Sequence, residues 1–348
     1  MSNVKDFLKR KDIVITPQRY LIEALGAMAQ GLFASLLIGT IIKTLGQQTG
    51  LETLVDLGGY ATAMSGPAMA VAIGWALHCP PLVLFSLVTV GYSSNALGGA
   101  GGPLAVLIIA IVAAELGKAV SKETRVDILV TPLVTIFAGV GLSMLIAAPI
   151  GAAASQVGTL IMWATEQAPF LMGILVSVIV GVALTLPISS AAICAALGLT
   201  GLAGGAAVAG CCAQMIGFAV MSYKENGVGG LISQGLGTSM LQMGNIVKNP
   251  RIWIAPTLAS AITGPLATCV FHMEMNGAAV SSGMGTCGLV GQIGVYTGWV
   301  SDIAAGTKAA IPRWTGLPSS SSALSCPPCS ASSSARSSAS LAGSRTAT

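Results

Sequence analysis

Three long stretches of the chain contain no charged residue, and they limit the protein to one structural class. Residues 57–114, 128–165 and 167–223 hold no Asp, Glu, Lys or Arg. A helix needs about 20 apolar residues to cross the hydrocarbon of a membrane, so each stretch is long enough for one to three crossings. The stretches also lack the alternating polar positions of a transmembrane β-barrel. The sequence therefore predicts an all-α, polytopic membrane protein embedded in the lipid bilayer.

The composition agrees with this class. Charged residues make up 8% of the chain, against roughly 25% in soluble domains, and the mean hydropathy is +0.82. The formal net charge of +4 comes from basic residues that lie mainly in predicted loops. Basic residues in such loops set membrane topology. They do not indicate a nucleic-acid partner, and we expect none.

The basic residues also predict the orientation. Residues 1–19 are polar and basic, which places the N-terminus in the cytoplasm by the positive-inside rule. About ten membrane segments put 13 of the 14 Lys and Arg residues before residue 320 on that side, with Lys43 as the exception. The predicted crossings are residues 20–45, 60–78, 82–97, 104–120, 128–150, 170–186, 188–202, 206–223, 252–271 and 278–300. Residues 151–169 are predicted to form an interfacial helix, and residues 227–245 a loop or re-entrant hairpin.

A weak internal repeat indicates duplicated halves. Residues 76–81 resemble residues 183–188, and residues 98–101 resemble residues 204–207 at nearly the same offset. Many secondary transporters are built from two such halves with interrupted helices, and bind substrate where the halves meet. Chance similarity between segments rich in Ala, Gly and Leu is the alternative.

These patterns give three predicted regions. Residues 1–19 form a basic cytoplasmic N-terminus, and residues 20–317 form the transmembrane domain, with candidate halves 20–150 and 170–300. Residues 318–348 differ in character, since 13 of the 31 are Ser. Such a segment cannot bury enough apolar surface to fold. We expect a disordered tail produced by a reading-frame shift that replaced a further apolar helix.

One acidic residue stands alone in the C-terminal part of the transmembrane domain. Glu274 is the only charged residue between Ile252 and Ser301. A carboxylate in apolar surroundings costs several kcal/mol unless it is paired, protonated or facing water. Glycines between residues 277 and 298 favour a broken or re-entrant segment at this point. A neutral Glu satisfied by a neighbouring helix, or a Glu at the membrane interface, is the alternative.

Further polar residues are candidates for binding a substrate. His272 and Asn276 alternate with Glu274, so they would spread over several faces of a helix but converge on one ligand in an unwound segment. His78, Asn95 and Gln292 are the other candidates, although an interfacial His and amides that hold helices together explain them equally well. No catalytic set, phosphate loop or metal-binding pattern is apparent, so we expect no catalytic residue, no metal and no cofactor.

Several short motifs carry a family resemblance. They are residues 66–75, 98–107, 223–231, 235–240 and 249–253. They resemble the IIC-type membrane proteins of the bacterial sugar phosphotransferase system (PTS), in the branch that also holds the perfringolysin-regulator type. The similarity covers roughly residues 10–316 of this chain and is lost in the tail.

The resemblance implies a sugar permease in the bacterial cell membrane that passes a sugar inward while partner subunits phosphorylate it. No phosphoryl-carrying residue is identified in this chain, so separate IIA and IIB subunits are expected partners. A homodimer is also expected. In related permeases a membrane-embedded Glu and a His handle the sugar hydroxyls, and the best candidates here are Glu274 and His272. The alternative function is a membrane-embedded ligand sensor or regulator without transport.

Overall fold

The computed structural model describes residues 2–304 of the chain, with side chains from residue 6 to residue 303. Within that range the chain forms helices and turns and no strand, which confirms the all-α prediction. The predicted Ser-rich tail, residues 318–348, lies outside the described residues. The α-helices of the described range are α1 (Ser2–Arg10), α2 (Leu25–Leu32), α3 (Ile38–Thr49), α4 (Glu52–Ala63), α5 (Ser65–Ala76), α6 (Pro81–Gly98), α7 (Gly102–Val120), α8 (Asp127–Leu142), α9 (Ala148–Thr165), α10 (Pro169–Thr185), α11 (Ser190–Ala196), α12 (Gly201–Met221), α13 (Tyr223–Ile232), α14 (Met243–Lys248), α15 (Ile254–Pro265) and α16 (Val290–Ala304).

Short π-helical and 3-10 turns join some of these helices into longer runs. Five runs in the described part of the chain are long and apolar enough to cross a membrane. They are Gln18–Thr49, Pro81–Val120, Asp127–Thr165, Gly201–Met221 and Pro250–Val270. Large apolar side chains such as Phe137 and Leu145 are 72% and 73% exposed on the outside of one run, where lipid would cover them. These features identify a multi-pass membrane protein.

The run Pro81–Val120 is a helical hairpin rather than one rod. A 3-10 turn at Gly99–Gly101 separates α6 from α7, and Gly99 has a φ of 50°, which suits a residue without a side chain. The two helices then pack against each other. The predicted break between residues 98 and 103 is therefore confirmed.

The chain divides into two compact units, with the boundary between Ala154 and Ser155 inside α9. In the first unit α5, α6, α7 and α8 pack together, and α2 packs along α5. Gly66 of α5 and Gly91 of α6 meet where these helices cross, and a Cβ on either would overlap the other's carbonyl group. Small residues let helix backbones approach closely in this way within membranes.

In the second unit α10, α12 and α15 pack against one another. The contacts again depend on small residues. A Cβ on Gly210 would overlap the backbone of Ser177, and a Cβ on Gly264 would overlap the backbone of Gly173. As a result α12 is the most deeply buried of the five long runs, with 83% of its apolar window inside the protein.

Two predicted boundaries in the middle of the chain are wrong. The predicted crossing at 128–150 and interfacial helix at 151–169 form one helical run, Asp127–Thr165, of 39 residues. A π-helical turn at Ser143–Ala147 carries the helix through the point where the change in polarity suggested an end. The predicted crossing at 188–202 contains only the seven-residue α11, because left-handed glycines at Gly198 and Gly201 interrupt the chain.

Two further predictions are corrected near the C-terminal end of the described range. The last crossing, predicted for residues 278–300, is not one continuous helix, because its first half consists of two short 3-10 turns, Ala279–Gly283 and Cys287–Leu289, and α16 begins only at Val290. Residues 227–245 are largely helical, which argues against the loop and leaves the re-entrant hairpin as the prediction. They contain most of α13, kinked at Gly227, then a π-helical and a 3-10 turn and the start of α14.

Candidate functional site

The residues around Glu274 lie in an extended segment between α15 and α16. The helical run ends at Val270, and the backbone of Met275 exchanges two hydrogen bonds with Gly201 at the start of α12. These bonds, of 2.9 and 3.0 Å, satisfy peptide groups that no longer have helical partners. Unwound backbone at membrane depth needs such partners because lipid supplies none.

The side chains of this segment alternate between two environments. Met273 and Met275 are buried in the apolar core of the second unit. His272 and Asn276 are exposed, and Glu274 is partly buried. Successive side chains of an extended backbone point to opposite sides, so Glu274 and Asn276, which flank the bridged Met275, share one side. His272 is exposed next to them, although its positive φ takes it out of the extended conformation. We call these three residues the polar face.

Glycines on the neighbouring elements allow the segment to lie where it does. A Cβ on Gly205 of α12 would overlap the carbonyl oxygen of Met273, and a Cβ on Gly298 of α16 would lie 2.6 Å from the nitrogen of Gly277. His272 itself has a φ of 44°, a conformation that is costly for most residues with a side chain. The polar face is therefore held by close backbone packing on both sides.

Asn276 connects the polar face to α16. Its Nδ2 donates a hydrogen bond to Oδ2 of Asp302 at 2.7 Å. Sequence reasoning did not select Asp302, although it is the first charged residue after Glu274 in the chain. Its position as the next charged residue along the chain was the sequence feature that could have identified it. The described part of the second unit thus has two carboxylates, Glu274 and Asp302, at the segment that carries the polar face.

Gln292 is placed differently from the other candidates. It is 1% exposed in α16, and its amide nitrogen lies 3.3 Å from Sγ of Cys212. The amide orientation that satisfies both of its ends has Nε2 donating to the carbonyls of Gly285 and Leu289, at 3.0 and 3.2 Å. Gln292 thus supports the non-helical turns before α16, and the structure does not bring it to the polar face.

Buried hydroxyl groups hold the remaining unwound backbone. Ser282, which is fully buried, donates to the carbonyl of Leu199 at 2.6 Å, and Ser190 donates to the carbonyl of Gly283 at 2.8 Å. These bonds link the turns before α16 to both ends of the interrupted α11. Sequence reasoning missed these serines, since only long-range contact distinguishes them from ordinary serines of an apolar segment.

A second set of polar groups lies within the helix packing of the same unit. Thr185 and Ser239 share a hydrogen bond of 2.9 Å, and both are fully buried. Gln214 donates to Thr257 at 3.2 Å. Within the described residues, Oε1 of Gln214 and Oε1 of Gln234 have no hydrogen-bond partner. The bond from Gln214 to Thr257 of α15 fits a role in holding helices together.

His78 lies in the first unit, at the end of α5. Its φ is 56°, and the amide of Cys79 bonds back to the carbonyl of Gly74, which closes the helix in a Schellman motif. Its Nδ1 lies 3.1 Å from Oδ2 of Asp12 and 3.3 Å from Nη2 of Arg19. His78 is thus a helix-ending residue beside an ion pair.

That ion pair belongs to a charged cluster made of Asp12, Arg19, Glu115 and Lys118. Arg19 donates to both carboxylate oxygens of Asp12, at 3.1 and 2.5 Å. Its hydrogen bonds are the main reason that the pKa of Asp12 falls to about 2. Glu115 and Lys118, one turn apart on α7, form a second ion pair of 3.0 Å.

Lys118 is the buried centre of the charged cluster. The residue is 2% exposed, and its Nζ donates to the carbonyls of Asp12 and Leu77 at 2.8 and 3.0 Å. Glu115 also accepts a hydrogen bond from the hydroxyl of Tyr20 at 3.1 Å. The hydrogen bonds of the cluster therefore hold the N-terminal connection, residues 11–20, against α7 and the end of α5. The two positive charges of the cluster balance its two negative charges.

Asn95 also lies in the first unit, near the end of α6. Its Nδ2 donates to Oγ of Ser65 at 3.3 Å, and its side chain lies against Gly66 and Gly102. It contacts α5 and α7 together, as a residue that fixes helix packing would. Of the six candidate residues, Glu274 and Asn276 thus lie on one side of an extended segment, and His272 is exposed two residues before Glu274.

The side chains of the described residues include no group of three or more His, Cys, Asp or Glu that could hold a metal ion. The chemistry offered by the polar face is hydrogen bonding. Carboxylate oxygens accept, an amide does both, and a neutral imidazole has one donor and one acceptor. Such a set matches a ligand rich in hydroxyl groups.

Comparison with known proteins identifies one family that matches this chain. The family described as Phosphotransferase system, EIIC matches residues 22–319, which is well over half of the chain. No curated protein and no solved structure matches. The family match agrees with the resemblance found in the sequence motifs. The chain therefore belongs to the phosphotransferase system EIIC family.

Proposed function

We propose that the protein is the sugar permease subunit, IIC, of a phosphoenolpyruvate-dependent phosphotransferase system. It moves a sugar across the bacterial cell membrane, and separate IIA and IIB subunits phosphorylate that sugar. Membership of the EIIC family and the multi-pass architecture support this proposal. The further proposal of a homodimer comes from the sequence resemblance.

The observation that carries the proposal is the polar face on an unwound segment. Interrupted helices supply substrate sites in many secondary transporters, because their backbone and side chains can face a water-filled cavity. In our proposal Glu274 accepts hydrogen bonds from sugar hydroxyls, and His272 and Asn276 complete the contacts. His78, Asn95 and Gln292 then have supporting roles in packing.

We further propose that the N-terminus lies in the cytoplasm. In the first unit Arg10 of the N-terminal region forms an ion pair of 2.8 Å with Glu123, next to Lys122 and Arg125 between α7 and α8. These basic residues therefore lie at the same end of the unit, as the positive-inside rule requires. About ten membrane segments in duplicated halves remain our proposed topology.

Sugar uptake tests the proposed function. Cells that lack the gene are compared with cells that carry it, using a panel of radiolabelled sugars and measuring both uptake and phosphorylation. We expect the deletion to abolish uptake of at least one sugar and the restored gene to recover it. Unchanged uptake of every sugar would remove the permease proposal. Altered transcripts with unchanged uptake would favour the sensor or regulator instead.

A further inference from the structure

We propose that a pocket in the first unit binds a phosphate group. The pocket is a cavity of about 380 Å³, within the range of about 300–1,000 Å³ that small-molecule sites occupy. It lies between the N-terminal connection, the end of α5 and the loop from α7 to α8. The charged residues that line it are Arg10, Lys11, Asp12, Lys118, Lys122 and Glu123. We call it the basic pocket.

The lining has an excess of positive charge. Four cations face two carboxylates, and His78 adds a further group that becomes a cation when protonated. Both carboxylates are engaged by cations, since Asp12 pairs with Arg19 and Glu123 pairs with Lys11. A site of this kind attracts anions and repels cations.

The cations of the basic pocket differ in how many of their hydrogen-bond donors and how much of their charge already have partners in the protein. Lys118 is committed to two carbonyl groups and to Glu115. Arg10 and Lys11 share one carboxylate, that of Glu123, at 2.8 and 2.5 Å, so one positive charge is left without an equal counter-charge. Lys11 also donates to the carbonyl of Ser121, which leaves one of its three N–H groups without a named partner. Within the described residues the ammonium group of Lys122 forms no hydrogen bond or ion pair, while its backbone N–H donates to Asp127, which is a nearby counter-charge outside the lining.

Arg10, Lys11 and Lys122 therefore offer donors to an incoming anion. An arginine presents a planar fork that matches two phosphate oxygens, and each lysine acts as a point charge. A phosphate group carries several acceptor oxygens and up to two negative charges, which fits this set of donors better than a single carboxylate. Lys122 has a φ of 60° and stands in the loop that closes one side of the pocket.

The phosphate group has two sources, a soluble phosphate ester and a phospholipid headgroup. The soluble source rests on the proposed function, in which a phosphorylated sugar is released on the side where the N-terminus lies. The lipid source does not depend on transport. Binding to the purified protein and sugar uptake are separate measurements, so failure of one proposal is distinguishable from failure of the other.

The test uses the full chain in nanodiscs. In phosphatidylcholine discs, inorganic phosphate and glucose 6-phosphate are titrated by calorimetry, with glucose as the uncharged control. In discs that also contain phosphatidylglycerol, retained lipid is measured by native mass spectrometry. Binding of the soluble esters supports the soluble source, and selective retention of phosphatidylglycerol supports the lipid source.

Three variants assign the binding to the basic pocket. Lys122→Gln should weaken phosphate binding about tenfold, the usual effect of losing a charge-assisted hydrogen bond. Arg125→Gln removes an exposed cation from the same loop but does not line the pocket, so affinity should not change. Glu123→Gln removes a competing carboxylate and should tighten binding.

A phosphate site in the basic pocket predicts opposite changes in phosphate affinity for Lys122→Gln and Glu123→Gln. A merely structural role of the loop predicts that Glu123→Gln weakens binding, because it breaks two ion pairs. Weaker binding by Glu123→Gln would overturn the proposal of a phosphate site. Equal losses of affinity in Lys122→Gln and Arg125→Gln would also overturn it, as would the absence of phosphate binding from either source.

Discussion

Met275 and Gly201 exchange two backbone hydrogen bonds, of 2.9 and 3.0 Å, across the start of α12. The pair anchors an extended segment to the most buried helix of the second unit. Main-chain bonds and the buried side chains of Met273 and Met275 supply much of what holds the segment, and Asn276 adds its bond to Asp302. Substitutions on the polar face are therefore expected to alter function more than folding.

Glu274→Gln tests the polar face directly. The change keeps the shape of the side chain but removes the charge, and hydrogen bonds to a charged group contribute about 1.5–3 kcal/mol. We expect sugar uptake to fall about tenfold or more while the amount of protein in the membrane stays constant. The control is Glu52→Gln, at an exposed position of α4. Full uptake by both Glu274→Gln and Glu274→Ala would show that the carboxylate is only an interface residue.

Gly205→Ala tests the close packing beneath the segment. A Cβ at this position would overlap the carbonyl oxygen of Met273, and such overpacking typically costs about 1–3 kcal/mol. We expect a lower free energy of unfolding in mixed micelles and reduced uptake. Gly26→Ala is the matched control, since a Cβ on Gly26 has no other atom within 4 Å. It should leave stability unchanged or raise it by about 0.5–1 kcal/mol. Equal stability of the two variants would argue against the packing described here.

Asp12→Asn tests the charged cluster through pH. The pKa of Asp12 is about 2 in the folded protein, below its usual 3.8, chiefly because Arg19 donates hydrogen bonds to it. The carboxylate therefore stabilises the fold above about pH 4, and this stabilisation is lost as pH falls towards 2. We expect the wild type to exceed Asp12→Asn by about 1 kcal/mol near pH 7, since water screens a half-exposed pair.

The measurement is the free energy of unfolding of both proteins from pH 3 to pH 8. The difference between them should be constant from pH 5 to pH 8 and should shrink only at the acidic end. A difference that changes between pH 5 and pH 8 would show that the pH dependence does not come from Asp12.

Lys118→Met tests the buried centre of the charged cluster. The side chain of Lys118 is 1% exposed, and its loss removes the ion-pair partner of the largely buried Glu115. Breaking a buried pair in this way costs about 3–5 kcal/mol, so we expect a large drop in thermal stability. Adding Glu115→Leu should recover part of it, because the lone carboxylate is removed. The control Lys248→Met, at an exposed position, should change little.

Removal of residues 318–348 tests the interpretation of the Ser-rich tail. A segment of this composition cannot form a packed core, and the family match ends at residue 319. We expect the shortened protein to unfold at the same temperature and to transport as well as the full chain. Sequencing the gene across this region checks the frame-shift prediction. A marked loss of stability on shortening would show that the tail packs against the rest of the protein.

The broad class of the fold could be predicted because it depends on local composition. Charge-free stretches of sufficient length have few options other than membrane helices. The glycine cluster between α6 and α7 was also readable, since glycine without a side chain favours a break in any context. The isolation of Glu274 in an apolar stretch was visible for the same reason.

Helix boundaries were harder to predict, because tertiary contacts override local preference. Residues 151–165 looked interfacial but continue a helix that begins at Asp127. Residues 188–202 looked apolar enough to cross, yet the chain unwinds around α11. Ser190 and Ser282 bond to backbone groups far away in the sequence and satisfy that unwound backbone. No local pattern reveals such bonds.

The sequence by itself determined that the chain is an all-α membrane protein of the EIIC type and that Glu274 stands alone among apolar residues. Composition and short motifs carry that information, and the transfer of apolar groups from water depends on them directly. Only the tertiary structure decided that Glu274 and Asn276 lie on the same side of an extended segment, and that Lys118 is buried. Both facts depend on contacts between residues distant in the chain, where backbone pairing and close glycine packing set the positions of the side chains.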